Sequence, residues 1–316
     1  MTTALRPASI LGAVLVSLLA GAAAAQNPQS ASLGTPTPVA GLSGPLAVVM
    51  EMDVSLPDHT IYRPADLVGV TEPLPVVAYG AGACFNGGNL TPQFLGELAS
   101  RGYLVVAGGP ILEGLDPTRP AVAEGQQTIP QNRTAHMFET IDWAIAQNAV
   151  TGGRFEGRIA SDRIAVMGHS CGGLQAIAAA DDPRVTTAII GNSGIIRTPP
   201  VDATGTGRSY RPAGLDDLKR IHAPILYISG GPTDQAQPNA ILDVAAIEGV
   251  PVFHGDIDTG HGGTYREPRG GEYAQVMGDW LDWRLKGDVE AGKTFSGPDC
   301  GLCIDPRWTV ERKNLD

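Results

Sequence analysis

The string Gly168-His169-Ser170-Cys171-Gly172 sets a serine between two glycines, directly after the apolar run Ile164 to Met167 and directly before a helical pattern from Gly172 to Ala180. A serine hydroxyl is a weak nucleophile until an imidazole takes its proton and a carboxylate fixes that imidazole's tautomer. A sharp strand-to-helix turn exposes such a hydroxyl above a sheet, and the flanking glycines let neighbouring backbone come close. The helix that follows directs its amino end at charge developing on a bound substrate. The partners are expected later in the chain, first the acid and then the histidine, each in a loop after a strand. Asp234 follows the run Ile225 to Ser229 within a short turn, and His261 lies in Thr259-Gly260-His261-Gly262-Gly263 after the strand around Val252. Asp258, and less readily Asp256, compete with Asp234 as the orienting acid, because both lie close to His261 in sequence.

The other histidines have plainer readings. On the tight turn His169 should face away from the Ser170 hydroxyl, and His254 reads as a satisfied core or loop residue. His59, His136 and His222 read as surface or capping residues. Asp216 and Asp217 open a short helical stretch, where carboxylates suit the helix dipole.

These residues need a scaffold. Short apolar runs, at 46–54, 76–79, 104–107, 164–167, 188–190, 225–228 and 252–254, read as strands. Most lack alternation, as central parallel strands covered on both faces should. Helical patterns at 92–101, 133–148, 172–180 and 273–286 lie among them. This succession predicts an α/β fold with a mostly parallel central sheet and helices on both faces. Ligands in such sheets collect at the carboxyl ends of the strands.

Over 46–286 the chain resembles the α/β-hydrolase superfamily. The elbow Gly168 to Gly172 matches that family's motif, whereas Asp234 and His261 match by topology. The compact architecture is similar to the lidless dienelactone-hydrolase-like and cutinase-like polyester-hydrolase branches, although Cys171 stands where many members carry Met or Gln. The resemblance implies a carboxylic ester hydrolase without a metal or organic cofactor. Its oxyanion hole would use the N–H of Cys171 and one from Ala81 or Gly82, in the glycine-rich loop after the strand at 76–79. Phe85 and Tyr265 are candidates to line the substrate pocket. If Cys84 and Cys171 both flank the oxyanion pocket, a disulfide clamping that loop to the elbow is one expectation. A buried free thiol at Cys171 is the other. Cys300 and Cys303 read as a local disulfide, since no second Cys or His pair follows at a zinc-ligand spacing.

Composition bounds the rest. In 316 residues, 43% are hydrophobic and 17% charged, enough to bury a large core, which excludes general disorder. The formal net charge of −11, with no basic patch, argues against nucleic acid as partner. The 41 glycines and 25 prolines follow no three-residue period, so the chain is not collagen-like. Residues 1–25 read as a signal peptide, with Arg6, an apolar stretch from Ile10 to Ala20 and the small-residue site Ala23 to Ala25. Residues 26–44 read as a flexible lead-in, 45–290 as the domain, and 291–316 as a tail docked on it. No later stretch reads as a membrane span. Roughly thirty residues between the strands near Ile190 and Ile225 are too few for a large cap domain, and the polar connection from Pro110 to Gln131 reads as a rim of the cleft.

The expected protein is thus a secreted or periplasmic serine hydrolase acting on small aryl, hydroxycinnamoyl or short acyl esters, or on polyesters. A peptidase or amidase of the same fold, and a noncatalytic binding protein on that fold, are the alternatives.

Overall fold

The structure is a computed structural model that describes residues 1–2, 29–114, 133–197 and 212–315. All but the first two residues of the expected signal peptide therefore lie outside the described residues, as does most of the expected rim loop.

Among the described residues the first elements are three strands, β1 (Ser32–Val39), β2 (Val48–Asp53) and β3 (Leu56–Pro64), followed by β4 (Leu74–Gly80), α1 (Pro92–Ser100) and β5 (Leu104–Gly108). Then come α2 (Ala135–Asn148), β6 (Ile159–His169), α3 (Cys171–Ala179), β7 (Val185–Gly191) and α4 (Leu215–Leu218). The last part holds β8 (Ile225–Ser229), α5 (Gln237–Ala246), β9 (Val252–Ile257), α6 (Gly271–Lys286), α7 (Val289–Gly292), α8 (Gly301–Ile304) and β10 (Trp308–Lys313). They build one ten-stranded sheet in the order β1-β2-β3-β5-β4-β6-β7-β8-β9-β10. The run β5-β4-β6-β7-β8-β9 is parallel, and both edges are antiparallel.

The central strands are apolar throughout because each of their faces is covered. Val77, Tyr79, Val105 and Met167 point into one apolar layer with Phe94 of α1 and Trp280 of α6. Their neighbours Val76, Ala78, Val106 and Val166 point into the other, with Ile141 of α2, Ile177 of α3 and Val244 of α5. The two-residue side-chain period of a strand divides adjacent residues between the layers. Burying so much apolar area on both faces is the main source of stability.

Two expectations need correction. Within the segment read as a flexible lead-in, residues 32–39 form β1, paired antiparallel with β2 across an irregularity between Leu33 and Thr37. An edge strand needs only backbone partners on one side, so its prolines and lack of apolar alternation do not prevent pairing. The run 46–54 is likewise only the first arm of an antiparallel pair whose second arm is β3. The tail packs onto the body. Phe295 meets Phe253 and Trp280 edge-on at 5.0 and 5.1 Å between ring centroids, and β10 pairs with β9.

Candidate active site

Five neighbouring strands of the parallel run deliver the site from their carboxyl ends. β4 leads into the loop that starts at Ala81, β6 into Ser170, β7 into Asn192, β8 into the turn bearing Asp234, and β9 into the loop bearing His261. Residues as distant in sequence as Ala81 and His261 are thereby gathered at one edge of the sheet, where strand ends leave backbone groups and space for a ligand.

At the turn between β6 and α3, Ser170 has φ 52° and ψ −118°, a backbone state that ordinary residues avoid. Two contacts hold it there. The Ser170 N–H donates to Gly191 O at 2.9 Å, and Ser193 Oγ donates to Ser170 O at 2.6 Å. The turn also runs tight against β4, since a Cβ on Gly172 would lie 2.0 Å from Gly80 O. Only glycine permits that approach.

Ser170 Oγ is 2.9 Å from His261 Nε2, and His261 Nδ1 is 2.7 Å from Asp234 Oδ1. Asp234 is buried, at 1% exposure, yet each of its oxygens is satisfied. Oδ1 also accepts from the Ala236 N–H at 2.9 Å, while Oδ2 accepts from the Gly230 N–H at 3.0 Å and from Asn192 Nδ2 at 2.9 Å. Burial pushes the carboxyl's pKa up, but the hydrogen bonds from His261, Ala236, Gly230 and Asn192 outweigh it and bring the pKa down to about 2. An ionised acid therefore faces Nδ1, which must carry the proton, leaving Nε2 free to accept one from the serine.

The rival acids are occupied elsewhere. Asp256 accepts from the Gly231 N–H at 2.8 Å and from Gln237 Nε2 at 2.5 Å, and Asp258 lies 3.4 Å from Thr233 Oγ1. Both brace the turn that carries Asp234. His169 donates from Nε2 to the backbone oxygen of His261 at 2.9 Å. Burial holds its pKa down to about 4, so it is a neutral donor at ordinary pH. His254 is buried with Nε2 2.8 Å from Ser229 Oγ. His59 and His136 depart from the surface reading: they are 1% and 6% exposed and meet edge-on, with His59 Nε2 3.0 Å from His136 O. Their place at the junction of β3 and α2, under the sheet's carboxyl edge, was not visible in the flanking residues. His222 is exposed.

Cys84 and Cys171 are joined by a disulfide with their Cα atoms 5.1 Å apart, which ties the loop after β4 to the residue following Ser170. Cys300 and Cys303 form the second bridge. Among the described residues, no group of three or more His, Cys, Asp or Glu is placed to hold a metal ion.

Among the described residues, two cavities open at the serine. The first, about 270 Å³, is lined by Tyr79, Phe85, Leu90 and Tyr265, together with Ala81 and Gly82. The second, about 340 Å³, is lined by Cys171, Leu174, Ser193, Ile196 and Asn239. Ser170, His261 and Ala83 border both. Ala81 and Gly82, the expected oxyanion donors, thus touch only the first cavity, whereas Ala83, with φ 56°, sits at the junction. Sequence reasoning missed Ala83, Asn192 and Ser193. The polar Asn192-Ser193 pair directly after a buried parallel strand was the available signal for the last two.

Comparison with models of known protein families gives no match, and comparison with curated proteins likewise gives none.

Proposed function

We propose that this chain is a serine hydrolase of the α/β-hydrolase type that cleaves carboxylic esters through an acyl-enzyme. The observation that carries the proposal is the unbroken chain of contacts from Ser170 Oγ through His261 to the ionised Asp234, at 2.9 and 2.7 Å. An isolated serine on a glycine-rich turn would need none of these partners.

In this reading the ester carbonyl lies over Ser170 at the junction of the two cavities, with the acyl and alcohol portions on opposite sides. His261 Nε2 removes the proton as Oγ attacks, and Asp234 stabilises the resulting imidazolium. The N–H of Cys171 and one from the Ala81-to-Ala83 turn stabilise the tetrahedral oxyanion. The imidazolium then protonates the departing alcohol. Water, activated by His261, splits the acyl-enzyme and releases the acid. Aromatic and aliphatic walls in the first cavity suit a neutral aryl or short acyl group, or one repeat of a polyester chain. Two disulfides suit an oxidising extracellular or periplasmic compartment, and no helix among the described residues is long and apolar enough to cross a membrane.

The test is turnover of a panel of 4-nitrophenyl and aryl esters by the purified protein, with Ser170→Ala and His261→Ala alongside. Wild-type turnover with an acyl burst, abolished in both variants while folding is kept, is the expected result. An inert wild type, or turnover undiminished in Ser170→Ala, refutes the reading.

A further inference from the structure

Asp234 and His261 come from different strands, and their 2.7 Å contact survives only if the turn after β8 and the loop after β9 keep one relative position. Backbone bonds join the two segments, the Thr259 and Gly260 N–H groups donating to Gly230 O at 3.1 and 2.7 Å, and one side chain bonds both the acid and the loop that carries the histidine. Asn192, at the end of β7, is fully buried, and its backbone sits in the left-handed region at φ 46°, pinned by its N–H donating to Ile228 O at 2.7 Å. Asparagine tolerates that conformation better than most residues. Its Nδ2 lies 2.9 Å from Asp234 Oδ2, 3.1 Å from Gly260 O and 3.3 Å from Tyr273 Oη. A carboxylate and a carbonyl oxygen only accept hydrogen bonds, so the amide nitrogen must face them, and the orientation of the side chain is fixed.

The reach of Asn192 depends on what it crosses. Gly230 directly follows β8, and a Cβ there would meet Asn192 Nδ2 at 2.8 Å and Gly260 O at 2.0 Å. With glycine in place, the two amide hydrogens serve the acid and the carbonyl just before the histidine. His169 holds the next carbonyl, that of His261 itself, so the histidine's backbone is secured on both sides.

We propose that Asn192 is a positioning residue: its amide fixes the Asp234 carboxylate relative to the His261 loop and so maintains the geometry for proton transfer from Ser170. The consequence for turnover rests on the ester-hydrolase reading, while the geometric claim does not. The ionisable groups around this pair are His261 and Tyr273 in contact, with Tyr265, His169, Asp256 and Asp258 nearby. All of them remain in each variant below, so a new titration belongs to position 192.

Three readouts test the proposal. Asn192→Gly accepts the left-handed backbone and removes the amide together with its methylene, so kcat should fall about tenfold with KM nearly constant and no change in the shape of the pH profile. Asn192→Asp puts a second carboxyl against Asp234. While the pair shares a proton the new group donates as the amide did, and the rate should approach that of wild type. As pH rises through the pair's elevated upper pKa the two anions repel and the rate should fall, a step absent from wild type and from Asn192→Gly. The third readout is the proton NMR signal of His261 Nδ1–H, which should broaden or vanish in Asn192→Gly. Wild-type kcat in both variants, or losses that only track the unfolded fraction without the new titration, overturns the proposal. If wild type turns over no ester, the hydrolase reading fails separately, and the NMR signal still decides: an unchanged Nδ1–H in Asn192→Gly overturns the positioning role.

Discussion

Substituting Gly172 by alanine tests whether the approach of α3 to β4 sets the site's geometry. The added Cβ would stand 2.0 Å from Gly80 O, 2.2 Å from Gly80 C and 2.9 Å from Ala81 N, all of them backbone atoms that cannot rotate aside. A comfortable carbon-to-oxygen contact is about 3.3 Å, so the two segments must part by roughly 1 Å or more. That displacement moves the Cys171 N–H away from the turn at Ala81 to Ala83, and the Cys84–Cys171 bridge resists any larger relaxation. A misplacement of about 1 Å costs on the order of 100-fold, and loss of one oxyanion donor costs about 100- to 1,000-fold. We therefore expect kcat for an aryl ester to fall by at least ~100-fold, with a stability loss of about 1–3 kcal/mol from overpacking. Burst kinetics with 4-nitrophenyl acetate and urea unfolding measure the two effects. Gly214→Ala is the control, because it has no atom nearer than 4.0 Å to a Cβ and borders neither cavity at Ser170. If Gly172→Ala keeps kcat within about threefold of wild type, close approach is not what aligns the oxyanion donors, and the reasoning fails.

Other consequences are as direct. Asp234→Asn presents an amide N–H to His261 and favours the tautomer with the proton on Nε2, so kcat should drop roughly 1,000- to 10,000-fold near neutral pH, measured with the same ester. Replacing Cys84 and Cys171 together by serine opens a loop of 87 residues, for which chain entropy gives a stability loss of up to about 4–5 kcal/mol, read from urea unfolding of the non-reduced proteins. His59 and His169 are held neutral by burial, with pKa values down to about 4 against an ordinary 6.5. The unfolded chain therefore binds protons that the folded chain refuses between those values, and stability should fall as pH drops from about 6.5 to 4, by up to about 3 kcal/mol per histidine. Denaturant midpoints across that range measure the slope, which should be shallower in His59→Gln. Asp234 acts lower down: its stabilising contribution is present above its unfolded pKa of 3.8 and is lost as pH falls towards about 2.

The parts of the site legible in sequence were those with local signatures. The elbow is a short string, and its neighbours are strand and helix patterns that periodicity reveals. Asp234 and His261 were legible because buried parallel strands read as apolar runs, and each residue follows one. The edges were harder. In β10, Glu311 and Arg312 pair with His254 and Phe253, and a polar edge strand carries no apolar pattern to announce it. Helix α5 was missed because only Ala240, Asp243 and Val244 of its residues are buried, too narrow a stripe for the period to stand out. Ala83 and Asn192 escaped for another reason. Each adopts a left-handed backbone without being glycine, and that state is imposed by tertiary contacts instead of composition.

The bridge between Cys84 and Cys171 bears on how the molecule is made. Four thiols admit three fully paired arrangements. Cys300 and Cys303, three residues apart, meet as soon as their turn forms, which withdraws two sulfurs from the competition. The remaining pair then has only one intramolecular choice, and it comes together once β4 and β6 have been laid side by side. Oxidation is in this way a check on strand assembly, and protein produced in a reducing cytosol would leave the ribosome without that check.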